Sequence, residues 1–96
     1  MQYNFEWDPG KAGANARKHG VSFEQAAEVF LDPLQLATFD GENSEVEERL
    51  VTLGKAKNGN SLVVVHTFEE QQDSATVRII SARKATKHEQ RHYEEI

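Results

Sequence analysis

The chain has 96 residues, 38% of them apolar, which is enough for one domain over residues 1–96 with one hydrophobic core. It contains no cysteine, so disulfides and thiolate chemistry are excluded, and its formal net charge of -5 argues against nonspecific nucleic-acid binding through bulk charge. Because the first residues lack the basic and apolar regions of a secretory signal, and no apolar run approaches membrane-spanning length, we expect a cytoplasmic protein.

Charge is distributed unevenly along this acidic chain. The segment 24–48 has eight carboxylates and no Lys or Arg, whereas the segment 78–92 has five Lys or Arg residues and one carboxylate. A shorter basic segment, 11–19, has three cations and no acidic residue. The block at 78–92 therefore indicates a surface suited to phosphate groups.

The first predicted elements are a short strand over residues 3–7 and a helix that follows it. Asp8 can accept hydrogen bonds from the first free N–H groups of a helix, and Pro9 fits the first helical position. We expect this helix to end at about His19, because Gly20 adopts at little cost the left-handed conformation that follows a helix.

A second helix is predicted after Ser22, which forms a capping-box pattern with Gln25. Its apolar residues recur at helical spacing on one face, and Asp32-Pro33 ends it. A third helix is predicted near the end of the chain, where Thr86 and Glu89 repeat the capping-box pattern.

Four strand-like segments lie between the second and third helices, separated by turn signals such as Asn58-Gly59. They are residues 34–39, 49–53, 61–68 and 76–82. The segment 61–68 is apolar on both faces and is therefore predicted to be central. Consecutive strands joined by short turns predict an α+β fold, an antiparallel β-sheet meander with two N-terminal helices and one C-terminal helix packed on it.

Six sequence elements occur in order along nearly the whole chain. They are Phe5-Glu6-Trp7-Asp8; Lys11-x-x-x-Asn15-x-x-Lys18-His19-Gly20-Val21-Ser22-Phe23; Val29-Phe30-x-Asp32-Pro33; Glu48-Arg49; Val64-Val65-His66-Thr67; and Arg78-Ile79-Ile80-Ser81-Ala82-Arg83. Taken together, these elements resemble the BrnT family of bacterial toxins.

The resemblance implies a RelE-like or ParE-like fold and an endoribonuclease toxin that blocks translation by cutting RNA. It also implies a BrnA-like antitoxin as the neutralising partner. In that arrangement a toxin homodimer is held in a 2:2 complex, and operator DNA is bound only through the ribbon-helix-helix portion of the antitoxin.

One position departs from the family pattern. After His66-Thr67-Phe68 similar sequences usually carry an Arg, whereas this chain has Glu69 followed by Glu70. A carboxylate pair at this place repels phosphate. The sequence therefore leaves open a second function, that of a cleavage-deficient antitoxin-binding partner acting as a transcriptional co-repressor.

Metal-free RNA cleavage needs a base for the 2′-hydroxyl proton, an acid for the departing 5′-oxygen, and cations around the transition state. Histidines titrate nearest neutrality, and the forked guanidinium of Arg can hold phosphate oxygens. Lysines supply less directional charge, and a Tyr can stack on a base or donate a proton. The catalytic candidates are Arg83, Arg78, Arg49, His66 and His19, and the RNA-binding candidates are Lys11, Lys18, Lys87 and Tyr93.

Each arginine also has a structural interpretation. Arg83 precedes a helix whose first N–H groups favour anions, but it could instead be an exposed side chain paired with Glu89 or Glu94. Arg78 either lines a cleft or forms a salt bridge at the rim of the sheet. Arg49 directly follows a run of acidic residues, and an ion pair with one of them would also explain it.

The histidines have alternatives of the same kind. His66 lies in an apolar strand, where a core histidine bonded to a backbone carbonyl is the commoner outcome, and His19 could simply be a cation at a helix C-terminus. His88 and His92 have the spacing of a metal-binding pair on a helix, but no third ligand is evident, so neither a metal nor another cofactor is predicted. The acidic stretch 40–48 is interpreted as a solvated loop or as a contact for a basic antitoxin segment.

Overall fold

The computed structural model describes residues 2–39 and 48–95. In these ranges the chain forms five strands and three α-helices. The strands are β1 (Gln2–Glu6), β2 (Leu36–Phe39), β3 (Leu50–Lys55), β4 (Ser61–Glu70) and β5 (Ser74–Lys84). The helices are α1 (Pro9–His19), α2 (Phe23–Glu28), which continues into a 3₁₀ turn at Val29–Leu31, and α3 (Lys87–Glu94).

The strands form one sheet in the order β1-β5-β4-β3-β2. The neighbours from β2 to β5 pair antiparallel, and β4 is central, as its apolar faces predict. The prediction of a purely antiparallel meander is wrong at one edge, because β1 pairs parallel with β5 and the sheet is mixed. The α1 and α2 crossover that separates β1 from the meander allows a parallel edge, which a hairpin cannot make.

The helix boundaries follow the local signals. The Asp8 carboxylate accepts a hydrogen bond from Gly10 N at 2.7 Å, and Gly20 ends α1 with φ of 69°. Reciprocal capping boxes start α2 at Ser22 and α3 at Thr86. These caps satisfy backbone donors at the helix ends, and the predicted starts are confirmed.

The sheet has a first face that packs against α1, α2 and the 3₁₀ turn. Its core includes Leu62, Val64, Val77 and Ile79, buried against helix residues such as Phe23. The second face carries a smaller cluster under α3, formed by Leu53, Val63, Ala85 and Tyr93. Because this cluster is small, α3 covers only part of the second face.

Helix α1 also completes the exposed edge of β5. The side chain of Asn15 is buried and donates hydrogen bonds to the carbonyls of Val21 and Ala82, at 3.0 and 2.8 Å, and its oxygen accepts from Ala82 N at 3.1 Å. Strand β1 pairs with β5 only as far as Arg78, so Asn15 supplies the backbone partners that a longer β1 would have provided.

A β-bulge in β5 changes the direction of its side chains. Val65 of β4 pairs with Ser81 and His66 pairs with Ile79, so Ile80 is the extra residue in β5. On the first face, the inward positions of β5 therefore change from Val77 and Ile79 to Ala82, three residues further on.

Asp32 connects three parts of the fold. Its carboxylate accepts hydrogen bonds from Leu34 N at 2.9 Å, from Lys55 N at 2.8 Å and from the Tyr93 hydroxyl at 2.6 Å. Burial alone would raise the pKa of Asp32, but the bonds from Tyr93, Lys55 and Leu34 lower it below its usual value. The residue that was predicted only to end the second helix therefore also ties α3 to β3.

Gly54 was expected to end its strand, but β3 continues through it to Lys55. A side chain at Gly54 would place its Cβ 2.7 Å from Val29 Cγ1 and 3.3 Å from Asp32 Oδ2. The glycine is therefore needed for close packing of the 3₁₀ turn on β3, and not for a turn.

The acidic stretch 40–48, expected to be a solvated loop or an antitoxin contact, lies outside the described ranges except for Glu48. The Asp40-Gly41 turn signal, which bounds the predicted strand 34–39, also lies outside them. Within the described part of the chain, none of the helices has the length and apolar character needed to cross a membrane.

Candidate functional site

A cationic cavity of about 140 Å³ lies beside the end of β1. It is lined by Lys11, Arg49 and Arg78, by the carboxylate residue Asp8, and by Ile79-Ile80 at the bulge. Among the described residues of its lining, three are cationic and one is acidic, which is a local positive excess in a chain of net charge -5. We call this site the cationic cavity.

Three elements bring these side chains together. Arg78 pairs with Glu6, the last residue of β1. The chain then leaves the sheet at Asp8, the cap of α1, and α1 therefore begins close to Arg78. Lys11 follows in the first turn of α1. Arg49 immediately precedes β3, from which it reaches the same cavity.

The cavity has the chemistry of an anion-binding site. Arg49 and Arg78 offer planar guanidinium donors that match two oxygens of a phosphate, and Lys11 offers a point charge. Asp8 is engaged as the cap of α1 through its bond to Gly10 N.

Arg83 lies on the same face of the sheet as Arg78, because of the bulge. Arg78 is opposite Thr67 and Arg83 is opposite Val63, and these β4 residues are four positions apart and share a face. In a regular strand the five-residue separation of Arg78 and Arg83 would place them on opposite faces.

Arg83 does not line the cationic cavity and is held by α3. Its Nη1 donates to Glu89 Oε1 at 2.8 Å and its Nη2 donates to Oε2 at 2.9 Å, with 43% of the Arg83 side chain exposed. The bonds from Arg83 outweigh the effect of burial and lower the pKa of Glu89 to about 2, and they raise the pKa of Arg83. The pairing with Glu89 expected as the alternative for Arg83 is present, and of the three candidate arginines Arg49 and Arg78 line the cationic cavity.

His66 lies in the core and away from the cationic cavity. It is 1% exposed, its ring packs edge-on against Phe30 with centroids 4.7 Å apart, and its Nε2 is 2.7 Å from Thr52 Oγ1. Its Nδ1 is 3.0 Å from the carbonyl of Thr67, which can only accept, so Nδ1 carries the proton in the neutral ring. Burial lowers the pKa of His66, and this position matches the core interpretation better than an acid–base role.

Tyr93 does not face a nucleic-acid surface. It is 8% exposed, its hydroxyl donates to Asp32 Oδ2, and Lys55 Nζ lies 5.7 Å from the centre of its ring. The hydrogen bond to Asp32 raises the pKa of Tyr93 to about 12, which makes it a poor proton donor near neutrality. These contacts give Tyr93 a structural role in anchoring α3, and its assignment as an RNA-binding residue stays a prediction.

The remaining candidates lie at other places. Lys18 is exposed and His19 half-buried at the C-terminal end of α1, about 10 Å along the helix from Lys11. Lys87 is exposed at the start of α3, on a surface that it shares with Gln90 and Arg91. None of these three lines the cationic cavity.

Sequence reasoning assigned no role to Asn15, although the motif that includes it was recognised. Asn15 lies three residues after Ala12, on the side of α1 that packs against the core, and an amide side chain in such a position is the signal that could have indicated a tertiary hydrogen bond. Among the described residues, no group of three or more His, Asp or Glu side chains is placed to bind one metal ion.

Comparison with known proteins agrees with this architecture. The model of the ribonuclease toxin BrnT, of type II toxin-antitoxin systems, matches residues 7–89. The crystal structure of the Brucella abortus ribonuclease toxin BrnT is similar with a TM-score of 0.60 and 24% sequence identity, over 91% of this chain and 100% of that one. No curated protein matches the chain in sequence. Since the family match spans most of the sequence, this chain belongs to the BrnT family of ribonuclease toxins of type II toxin-antitoxin systems.

Proposed function

We propose that this chain is an endoribonuclease that cleaves RNA without a metal ion, with the cationic cavity as the place where the scissile phosphate binds. The observation that supports it is the meeting of Lys11, Arg49 and Arg78 in one cavity of an acidic protein that belongs to a ribonuclease toxin family. Grouped cations of this kind stabilise the charge that develops on phosphate oxygens when the 2′-hydroxyl attacks.

Arg83 is proposed to contact the RNA strand as well. It lies on the same sheet face as Arg78, and phosphate oxygens of a bound RNA strand can compete with Glu89 for its two terminal nitrogens. Arg83 would then bind the strand at a second position, about 13 Å from Arg78 along the sheet. His19 and Lys18, at the far end of α1, are proposed only as outlying contacts for the strand, and Lys87 likewise on α3.

The proposal also includes a biological context. We propose a RelE-like or ParE-like toxin that acts in the cytoplasm, where cleavage of RNA blocks translation. A BrnA-like antitoxin with a ribbon-helix-helix portion would neutralise it in a 2:2 complex that includes a toxin homodimer. The family match supports an antitoxin partner in general terms, since type II toxins are paired with one.

The test is cleavage of a defined single-stranded RNA by purified toxin in excess chelator. Arg78→Ala should slow cleavage roughly 10- to 100-fold, since one donor that stabilises a transition state is commonly worth at least that much. Arg17→Ala is the matched control, because Arg17 is exposed on α1 and does not line the cationic cavity. Equal rates for the Arg78 variant and the native chain would refute the site, and loss of all cleavage on adding chelator would refute metal independence.

A second function is favoured by Glu69. Glu69 of β4 lies opposite Thr76 of β5, on the same sheet face as Thr67 and Arg78. It therefore brings a carboxylate to the face proposed for phosphate. The alternative is a binding partner of the antitoxin that represses transcription and does not cut RNA. If purified native chain is inactive on RNA while Glu69→Arg is active, the alternative is supported; cleavage by the native chain excludes it.

A further inference from the structure

A second cavity, of about 330 Å³, lies between α3 and the second face of the sheet. Its floor is formed by Leu36, Val51, Leu53 and Val63 from three adjacent strands, and His88 and His92 form its wall on α3. We call it the α3 cavity. None of its described lining residues belongs to the cationic cavity.

Arg78 of the cationic cavity lies on the sheet face that carries the α3 cavity. Val63, in the floor of the α3 cavity, is four residues along β4 from Thr67, which is opposite Arg78. At about 3.3 Å per strand residue, this separation is about 13 Å. Arg83 lies beside the α3 cavity, because it is opposite Val63 and its partner Glu89 lines the cavity.

The α3 cavity, with a volume of about 330 Å³, is large enough to hold a single planar ring system.

The lining of the α3 cavity matches both the apolar faces and the hydrogen-bonding edges of a nucleobase. Aliphatic side chains of the floor can contact the apolar faces of a ring, and imidazoles both stack on bases and hydrogen-bond to their edges. Glu89, the acidic residue among the described lining residues, is paired with Arg83.

We infer that the α3 cavity binds one nucleobase of the RNA strand whose phosphate lies in the cationic cavity. The inference rests on the proposed function. It assigns His88 and His92 as base-contacting residues, and it makes the α3 cavity a determinant of which RNA positions are cut. The strand would pass Arg83 beside the α3 cavity.

The experiment uses a pair of tryptophan variants on β2. Thr38 lines the α3 cavity and is exposed, so Thr38→Trp fills the cavity from its rim without replacing a core residue. Ala37→Trp is the matched control, since neighbouring strand residues point to opposite faces and Ala37 is also exposed. The probe is a short single-stranded RNA with 2′-O-methyl groups, which cannot supply the attacking hydroxyl, and binding is followed by fluorescence anisotropy and by NMR of the histidine ring signals.

We expect the probe to shift the His88 and His92 signals and to bind Thr38→Trp roughly tenfold more weakly than the native chain, as expected for the loss of one stacked base. Ala37→Trp should bind as the native chain does. A series of probes, each lacking the base at one position, identifies the base that enters the α3 cavity. The probe without that base should bind the native chain and Thr38→Trp equally well.

Two other outcomes overturn the inference and are distinguishable. If the probe binds and Arg78→Ala weakens it, but the histidine signals and Thr38→Trp are unaffected, the α3 cavity holds no base and the cationic cavity stands. If the probe does not bind the native chain at all, the proposed RNA cleavage fails, and the base site fails with it.

Discussion

Arg83 and Glu89 form a two-point ion pair that joins the end of β5 to the first turn of α3. The distances are 2.8 Å for Nη1 to Oε1 and 2.9 Å for Nη2 to Oε2, and Glu89 Oε1 also accepts from Thr86 N at 2.9 Å. One carboxylate therefore caps the helix and neutralises an arginine of the proposed RNA-binding face. The two roles of the Glu89 carboxylate can be separated by a substitution that keeps the cap and removes the charge.

Glu89→Gln should weaken the ion pair while keeping the cap, since Gln also serves in a capping box. Because the pKa of Glu89 is lowered to about 2, its carboxylate stabilises the fold above its ordinary pKa of about 4.5, and this contribution is lost as the pH falls from there towards 2. The difference in thermal midpoint between the native chain and Glu89→Gln should be largest at neutral pH and should shrink across that window.

The same variant has a consequence for RNA. When Glu89 no longer holds the Arg83 guanidinium as a charged partner, phosphate should bind Arg83 more readily, so the affinity for a non-cleavable RNA should rise in Glu89→Gln. Adding Arg83→Ala should cancel the gain. An unchanged affinity in Glu89→Gln would show that Arg83 does not contact the strand.

Tyr93→Phe should destabilise the protein by about 1 kcal/mol, because it removes one hydrogen bond to the charged carboxylate of Asp32 while the bonds from Lys55 N and Leu34 N remain. The pKa of Tyr93 is raised to about 12, so its stabilising bond is fully present below pH 10 and is lost as the pH rises from 10 to 12. Urea unfolding at several alkaline pH values should show this loss in the native chain and not in Tyr93→Phe. Equal alkaline profiles would contradict the assigned bond.

His66 should make the fold sensitive to mild acid. Burial lowers its pKa, so the folded chain holds it neutral, whereas the unfolded chain binds a proton near the ordinary pKa of 6.5. Stability is therefore lost as the pH falls below 6.5. His66→Gln keeps a polar group for Thr52 and should flatten the change in urea midpoint between pH 7.5 and 5.5; a slope as steep as that of the native chain would assign the effect to other histidines.

Gly54→Ala should destabilise the protein by about 1–3 kcal/mol, because the added Cβ would lie 2.7 Å from Val29 Cγ1 in a packed core. Gly13→Ala is the control within α1, where the added Cβ would only approach the end of the Arg17 side chain at 3.4 Å. That change should stabilise the helix by about 0.5–1 kcal/mol. The two thermal midpoints should move in opposite directions, and a stable Gly54→Ala would show that β3 and the 3₁₀ turn can separate without cost.

The sequence determined the features that depend on near neighbours. Asp8 with Pro9, and Gly20 after His19, set the ends of α1, because capping involves backbone groups within a few residues. The apolar residues on both faces of β4 identified it as the central strand, because a strand covered on both sides carries apolar side chains at successive positions. The ordered motifs along the chain were sufficient to identify the family, which the match over residues 7–89 confirmed.

Only the tertiary structure decided where the chemistry lies. The bulge at Ile80 turns Arg83 onto the face of Arg78, the parallel pairing of β1 brings Lys11 beside Arg78, and the hydrogen bond to Asp32 removes Tyr93 from the surface. Each of these depends on residues far apart in the chain, and a shift of one residue in a strand reverses every side-chain direction beyond it. Local pattern carries no information about such pairings, so the residue types were recognisable from the sequence while their grouping into a site was not.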